Sequence, residues 1–335
     1  MTRSRFYTPP LPNGWFQVGY DTELKPGDVV PLKYFGKDLV LFRTEGGTLG
    51  VLDAYCPHLG AHLGHGGKVK GESIECPFHA WKFDAAGACT AIPYAQKIPP
   101  KAKVPCWTTK VLGGLIMVWH HTEGLPPQWD IPDEIPEWGT LDGKRNEEWT
   151  DYELRRWSIH TRNQEMAENA VDSVHFHYVH GTQNMPSSQA EVKGHILRVF
   201  SDTGMETPQG HVDGSVESLS YGFGLGLVRF KGLAETLLVS SVTPIDSDNV
   251  DVRFAFAVKK IGGRSITKGI GLAFINEVSR QLEQDIPIWE HKIQLERPLL
   301  CDGDGPIGLF RKWCKQFYTA PAEGSPARLN VIATA

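Results

Sequence analysis

The chain has 335 residues, more than one small module needs and enough for two domains with full hydrophobic cores. Its 34 Lys and Arg against 39 Asp and Glu leave a net charge of −5, which removes the electrostatic reason to expect nucleic acid or an anionic membrane as a partner. The longest apolar run, "VLGGLIMVW" at 111–119, is about half of what a membrane span needs, so no membrane span is expected. The opening "MTRSRFYTPPLPNGW" has no apolar stretch suited to a signal peptide, and the chain reads as cytoplasmic. In a reducing compartment Cys56, Cys76, Cys89, Cys106, Cys301 and Cys314 read as metal chemistry rather than disulfides.

Taken in chain order, residues 14–120 are β-rich. "GWFQVGY", "DVVPLKYF", "DLVLFRT", "LGVLDAY" and "GLIMVW" are short apolar or alternating runs divided by Gly, Pro, Asp and Lys. The stretch "HTEGLPPQWDIPDEIPEWGT", at 121–140, lacks periodicity and reads as a connection. "SIHTRNQEMAENAVDSVHFHYVHG" then fits one helix ending at Gly181. "HILRVF", "VESLSYGFGLGLVRF", "ETLLVSSVTPI" and "DVRFAFAVKK" read as successive antiparallel strands. "SITKGIGLAFINEVSRQLEQDIPIWEHKIQL" predicts a long helix kinked or broken near 286 by Pro287, and "GPIGLFRKWCKQFY" a last short helix. The whole is α+β: an all-β domain at 14–122, then a domain at 123–320 with an antiparallel sheet, on which residues 1–13 pack. Residues 321–335 read as a mobile tail.

Two constellations carry chemistry. Cys56-Pro-His58 and Cys76-Pro-Phe-His79 close the stretch "CPHLGAHLGHGGKVKGESIECPFHAW", and each knuckle offers one thiolate and one imidazole. A zinc site usually pairs like knuckles, whereas a [2Fe–2S] cluster with two cysteines on one iron and two histidines on the other needs this mixture. Such a Rieske cluster carries less negative charge than an all-thiolate one and accepts electrons at a higher potential. His62 and His65 then read as loop residues. The second constellation is "ENAVDSVHFHYVH" at 168–180, with Glu168, Asp172, His175, His177 and His180 among apolar residues. Two histidines and a carboxylate on an open iron form the facial triad of non-haem iron oxygenases. Helical spacing favours His177 with His180, while His175 with His180 needs a helix end, so geometry alone leaves the pair open.

Together these motifs resemble the oxygenase component of the Rieske non-haem iron oxygenases. The pattern Asn-x2-Asp-x2-His-x4-His falls on Asn169, Asp172, His175 and His180. The stretches "LFRTEGGTLGVLDAYCPHLGAHL", "VHFHYVHG" and "QDIPIWEHKIQLERPLL" are similar to the 3-ketosteroid 9α-hydroxylase oxygenases. The resemblance implies a helix-grip catalytic domain with a curved antiparallel sheet. It implies Cys56, His58, Cys76 and His79 as ligands of the [2Fe–2S] cluster, and His175, His180 and Asp285 as ligands of a mononuclear Fe(II), with Asn169 near the iron. It also implies a homotrimer in which Asp172 bridges the cluster of one subunit to the iron of the next. Electrons would come from a separate ferredoxin or flavin/iron-sulfur reductase, and the reaction would be O2-dependent hydroxylation of a bulky, steroid-like apolar substrate. Demethylation, sterol desaturation and aromatic-ring hydroxylation are the alternatives on the same scaffold. A pure electron carrier would need neither residues 169–180 nor Asp285, and a zinc module would be colourless. Ala80 stands where many members have Gly, and His177 is an extra imidazole read as a pocket or outer-sphere residue.

Overall fold

Ten strands among the described residues build the first lobe: β1 (Gly14–Tyr20), β2 (Val29–Tyr34), β3 (Lys37–Arg43), β4 (Leu49–Asp53), β5 (Lys68–Lys70), β6 (Ser73–Glu75), β7 (Lys82–Asp84), β8 (Cys89–Ala91), β9 (Thr109–Leu112) and β10 (Leu115–His120). They form antiparallel sheets ordered β1-β10-β9, β2-β3-β4 and β5-β6-β7-β8. The computed structural model describes residues 5–140, 143–181, 188–202, 205–207, 210–212, 214–232, 234–261 and 264–319. The tail at 321–335, expected to be mobile, lies outside them.

β1 and β10 are buried along their whole length because both faces are covered. With a side-chain period of two, Phe16, Val18, Ile116 and Val118 point into a core shared with Leu39, Leu41 and Val51. Their alternates Trp15, Leu115, Met117 and Trp119 pack on Leu225, Leu227, Leu237 and Val239 of the second lobe.

That lobe contains β11 (Glu153–Ile159), β12 (Ser188–Lys193), β13 (Ile196–Asp202), β14 (Met205–Thr207), β15 (Gly210–Val212), β16 (Ser215–Tyr221), β17 (Leu225–Lys231), β18 (Thr236–Pro244) and β19 (Val250–Val258). Seven of them form one antiparallel sheet in the order β11-β19-β18-β17-β16-β13-β12, and β14 pairs with β15. Among the described residues four α-helices accompany them: α1 (Asn163–Glu168), α2 (Val174–Tyr178), α3 (Arg264–His291) and α4 (Ile307–Cys314). The outer face of the sheet meets β1 and β10. On the inner face Leu238, Val252, Phe254 and Phe256 pack against Ile275, Leu282 and Trp289 of α3. The α+β class holds, with an all-β lobe followed by a sheet that carries a long helix.

Several expected elements differ in detail. The single helix expected over 158–181 begins with the last two residues of a strand, β11, and continues as two short helices. Residues 153–159 pair with β19 in full register, from Glu153 opposite Phe256 to Ile159 opposite Val250. The helical part breaks between Glu168 and Val174, where Asn169 turns its side chain to Asp285 of α3 and Asp172 accepts from the His175 N–H. The run "VESLSYGFGLGLVRF" is a hairpin turned at Gly222, whose φ of 63° suits glycine. Pro287 does not break α3, which runs unbroken from Arg264 to His291. Pro287 and Glu283, whose carbonyl loses its partner, are both solvent-exposed, so water can satisfy that group.

The lobes are joined by backbone and by charge. Phe35 N–H donates to the Pro244 carbonyl at 2.8 Å and Gly36 N–H to that of Ile245 at 2.9 Å. Asp251 accepts from Tyr34 Oη at 2.5 Å, from Arg253 Nε at 3.0 Å and from Arg156 Nε at 2.8 Å. Burial alone would raise the Asp251 pKa, but Arg156, Arg253 and Tyr34 outweigh it and hold the carboxyl below the usual range. Residues 5–13 lie against the second lobe: Asn13 N–H donates to the Phe317 carbonyl at 2.7 Å, and Thr8 N–H and Oγ1 donate to Gln294 Oε1.

Candidate metal centres and substrate cavity

The two knuckles are built on one plan. Cys56 N–H donates to the Ala61 carbonyl and Gly60 N–H to the Cys56 carbonyl, both at 2.9 Å. The second knuckle repeats this: Cys76 N–H donates to the Trp81 carbonyl at 2.8 Å and Ala80 N–H to the Cys76 carbonyl at 3.1 Å. The chain must turn left-handed at the fifth residue of each loop, with φ of 76° at Gly60 and 55° at Ala80. Only the first loop uses glycine, so the second carries about 1 kcal/mol of strain at Ala80.

This plan brings the four donors together. Cys56 and Cys76 are buried in the core with Leu63, Ile74, Trp81 and Phe83, while His58 and His79 are partly exposed at the tip. The imidazole rings stand edge to face at 4.7 Å, and Trp81 stacks under His58 at 4.7 Å and 8°. Burial pushes the Cys56 thiol up to about 11, so a thiolate there needs a metal to hold it. His79 Nδ1 is buried and has no hydrogen-bond partner, as expected of an atom reserved for a metal. These donors fit a cluster with thiolates on the buried side and imidazoles outward. His62 and His65 sit in the loop between the knuckles, tilted together at 4.4 Å, with His62 Nδ1 accepting from Gly64 N–H at 3.0 Å.

The second centre joins two distant segments. Potential ligand atoms of His175, His180 and Asp285 all lie within 4.8 Å of one another. α2 and its C-terminal turn present the histidines, and α3 brings Asp285 to them, with His180 Nε2 at 3.5 Å from Asp285 Oδ2. The histidines brought together with Asp285 are His175 and His180, with His180 beyond the end of α2. The other ring nitrogen of each is engaged. His180 Nδ1–H donates to Gln284 Oε1 at 3.0 Å, and His175 Nδ1–H donates to the Asp172 carbonyl, leaving both Nε2 atoms as lone-pair donors. Asp172 also accepts from His175 N–H at 3.3 Å, and its side chain keeps 35% of its surface. Asn169 donates to Asp285 Oδ2 at 3.0 Å, and its own oxygen accepts from Trp289 Nε1 at 3.4 Å. Desolvation raises the Asp285 pKa, a cost that a bound cation would offset. Two histidines and one carboxylate on one side of a cavity suit a non-haem Fe(II) with open positions. His177 lies on α2 beside Tyr178 and does not share the triad.

A cavity of about 430 Å³ opens at the triad and runs between α3 and the inner face of the sheet. On α3 it is lined from Asp285 through Leu282, Gln281 and Val278 to Phe274, roughly 16 Å at 1.5 Å per residue. Val199, Val228, Phe230, Leu238 and Phe254 give it apolar walls. Its size lies within the range that holds one ring-shaped organic molecule. A second cavity, of about 770 Å³, is lined by Arg145, Trp149, Tyr152 and Lys260 and includes none of the triad. Sequence reasoning missed Gln284, which bonds His180, and Trp289, which bonds Asn169, through side-chain contacts that no spacing rule reveals. It also missed the serines of the cavity, although Ser218 and Ser220 alternate at strand period.

Residues 14–108 match the family described as the Rieske [2Fe-2S] domain, and residues 118–318 match the 3-Ketosteroid 9alpha-hydroxylase C-terminal domain. The chain is 34% identical to a 3-ketosteroid-9-alpha-monooxygenase oxygenase component of Rhodococcus rhodochrous, over 91% of this chain and 80% of that protein. It is 31% identical to Cholesterol 7-desaturase nvd 1 of Ciona intestinalis, over 95% and 70% of the two chains. The structure of dicamba monooxygenase bound to dicamba superposes with a TM-score of 0.70 at 16% identity, over 91% of this chain and 96% of that one. Among the described residues no helix is long and apolar enough to cross a membrane. An all-β lobe that presents paired Cys and His knuckles, a sheet-and-helix lobe with its triad, and these matches lead to one statement: the chain is an oxidoreductase that carries a Rieske [2Fe–2S] domain and belongs to the family of 3-ketosteroid 9α-hydroxylase oxygenase components.

Proposed function

We infer that this chain is the oxygenase component of a Rieske monooxygenase that hydroxylates a bulky apolar, steroid-like substrate. The observation that carries the reading is the His175, His180 and Asp285 set, with its donor atoms within 4.8 Å, at the end of an apolar cavity. Residues 14–122 form the cluster domain, with Cys56, His58, Cys76 and His79 as ligands. Residues 123–320 form the catalytic domain, with His175, His180 and Asp285 as ligands of a mononuclear iron. When loaded, the cluster supplies electrons singly and the iron supplies O2 activation.

The residues of the chain do the positioning. Gln284 and the Asp172 carbonyl hold the two imidazoles with Nε2 towards the iron site, and Asn169 steadies the Asp285 carboxylate. The apolar walls keep bulk water from the reacting carbon and seat the substrate by its rings. Asp172, with a third of its side chain open, can accept a hydrogen bond from a cluster histidine of a neighbouring subunit in a homotrimer while it caps His175. Electrons then enter from a separate NAD(P)H-dependent ferredoxin or flavin/iron-sulfur reductase, and His58 and His79 at the exposed tip form the route of exit.

The likeness to a cholesterol 7-desaturase supports a second reading, in which the same site removes two hydrogens instead of inserting oxygen. Turnover with a purified reductase, NADH and O2 across steroids, sterols and methoxy-aromatics, with products identified by mass, separates the readings. Hydroxylation adds one oxygen to a steroid, whereas desaturation lowers its mass by two hydrogens. Product from methoxy-aromatics alone contradicts both.

A further inference from the structure

The inner face of the sheet carries apolar side chains and a few serines, two of which share one row. Strand register places Ser220 of β16 opposite Gly226 of β17, Gly226 opposite Ser240 of β18, and Ser240 opposite Phe254 of β19. All four line the cavity. Ser220 and Ser240 are partly open although they sit inside the sheet, so their openness is towards the cavity. Neither hydroxyl has a hydrogen-bond partner among the described residues, and neither is sealed from the cavity as Ser241 Oγ is. Of the other serines on this face, Ser188 and Ser201 bond each other at 2.7 Å, and Ser218 stands opposite Val228 rather than a glycine.

Gly226 makes this row a notch. A Cβ built there would meet only Ser240, at 3.6 Å, so the space above it belongs to the cavity. With strands about 4.8 Å apart, the two serines stand roughly 10 Å from each other across the glycine. The row lies two residues along β18, roughly 7 Å, from Val242, whose carbonyl accepts from Asn163 at the start of α1, the helix that leads to Asn169 and the triad.

We propose that the Ser220–Gly226–Ser240 row is the specificity-determining subsite for an oxygen function of the substrate, a ketone or a hydroxyl carried on an otherwise apolar ring system. An unpaired hydroxyl that both donates and accepts can serve either group, directly or through one water, and an apolar ring alone would leave it unsatisfied. The subsite rests on the steroid-like reading above and adds the groups that hold the substrate's oxygen function.

The test is equilibrium dialysis of labelled androstanes on the holoenzyme, using an unsubstituted androstane, an A-ring ketone, an A-ring alcohol and a D-ring ketone. Wild type should bind one oxygenated member about tenfold more tightly than the unsubstituted one, the worth of a good hydrogen bond. The double variant Ser220→Ala/Ser240→Ala should lose that preference and leave the affinity for the unsubstituted member unchanged. Gly226→Ala fills the notch without a steric clash and should lose the preference too. Ser218→Ala, one row away, should keep it. A preference that survives the double variant, disappears only in Ser218→Ala, or is absent from wild type overturns the subsite but leaves the steroid reading standing. If wild type binds no androstane, the steroid reading fails and the subsite falls with it.

Discussion

The two candidate metal centres are built in opposite ways. The cluster donors fall within one stretch, Cys56 to His79, in two loops that repeat the same backbone bonds. The triad draws on a short helix and a long one, and Asp285 reaches His180 only after β12 to β19 have been laid down between them in sequence. A local centre can be set by turns and glycines. A distant one depends on sheet register, on the packing of α3 through Ile275, Leu282 and Trp289, and on second partners that aim each ligand. The cluster site should therefore tolerate changes in the sheet lobe better than the triad tolerates them.

The sharpest break between the centres is expected from His175→Ala. Product formation should fall to background while the visible absorption of the cluster stays at its wild-type intensity. Loss of the cluster colour as well would mean that the lobes do not hold their metals independently. Asp172→Asn keeps the hydrogen-bonding shape but removes the charge, and should lower turnover by about 10–100-fold with the iron content unchanged. A near wild-type rate would remove Asp172 from the electron route.

Next comes the seam between the lobes. Asp251→Asn leaves Arg253, only 5% exposed, without its counter-charge and should cost about 3–5 kcal/mol, read as a lower unfolding midpoint in denaturant. Because the folded state holds the Asp251 carboxyl below its usual value, its stabilisation is complete above about pH 4 and is lost as the pH falls through the depressed value. The variant should lack that acid limb. The smallest effect compares the knuckles directly. Gly60→Ala, with no atom to clash with but a φ of 76°, should destabilise the cluster lobe by about 1 kcal/mol. Ala80→Gly should relieve a similar strain, and thermal bleaching of the cluster would report both shifts.

How much of this could be read in the sequence follows the same division. The knuckles were legible because their ligands, prolines and glycines are close neighbours with a chemistry that few metals share. The β character of the first lobe was legible from its short alternating runs. The triad was only half legible: helical spacing could not choose between His177 and His175, because the choice depends on α2 ending at Tyr178, before His180. Asp285 came from resemblance, since nothing local marks one acid on a long helix. β11 carried no expectation, since five of its seven residues lie before the stretch read as a helix, and only pairing with β19 reveals it. Ser220, Gly226 and Ser240 form a row only once the register is known.

The central claim is that this chain holds a mononuclear iron on His175, His180 and Asp285 in addition to its cluster. Iron and acid-labile sulfide, measured together on wild type and Asp285→Ala, test it most directly. The account predicts about three iron atoms and two sulfides per wild-type chain, and about two of each in the variant, with the cluster's electron paramagnetic resonance signal unchanged. Two iron atoms in wild type, or three retained in the variant, would contradict it.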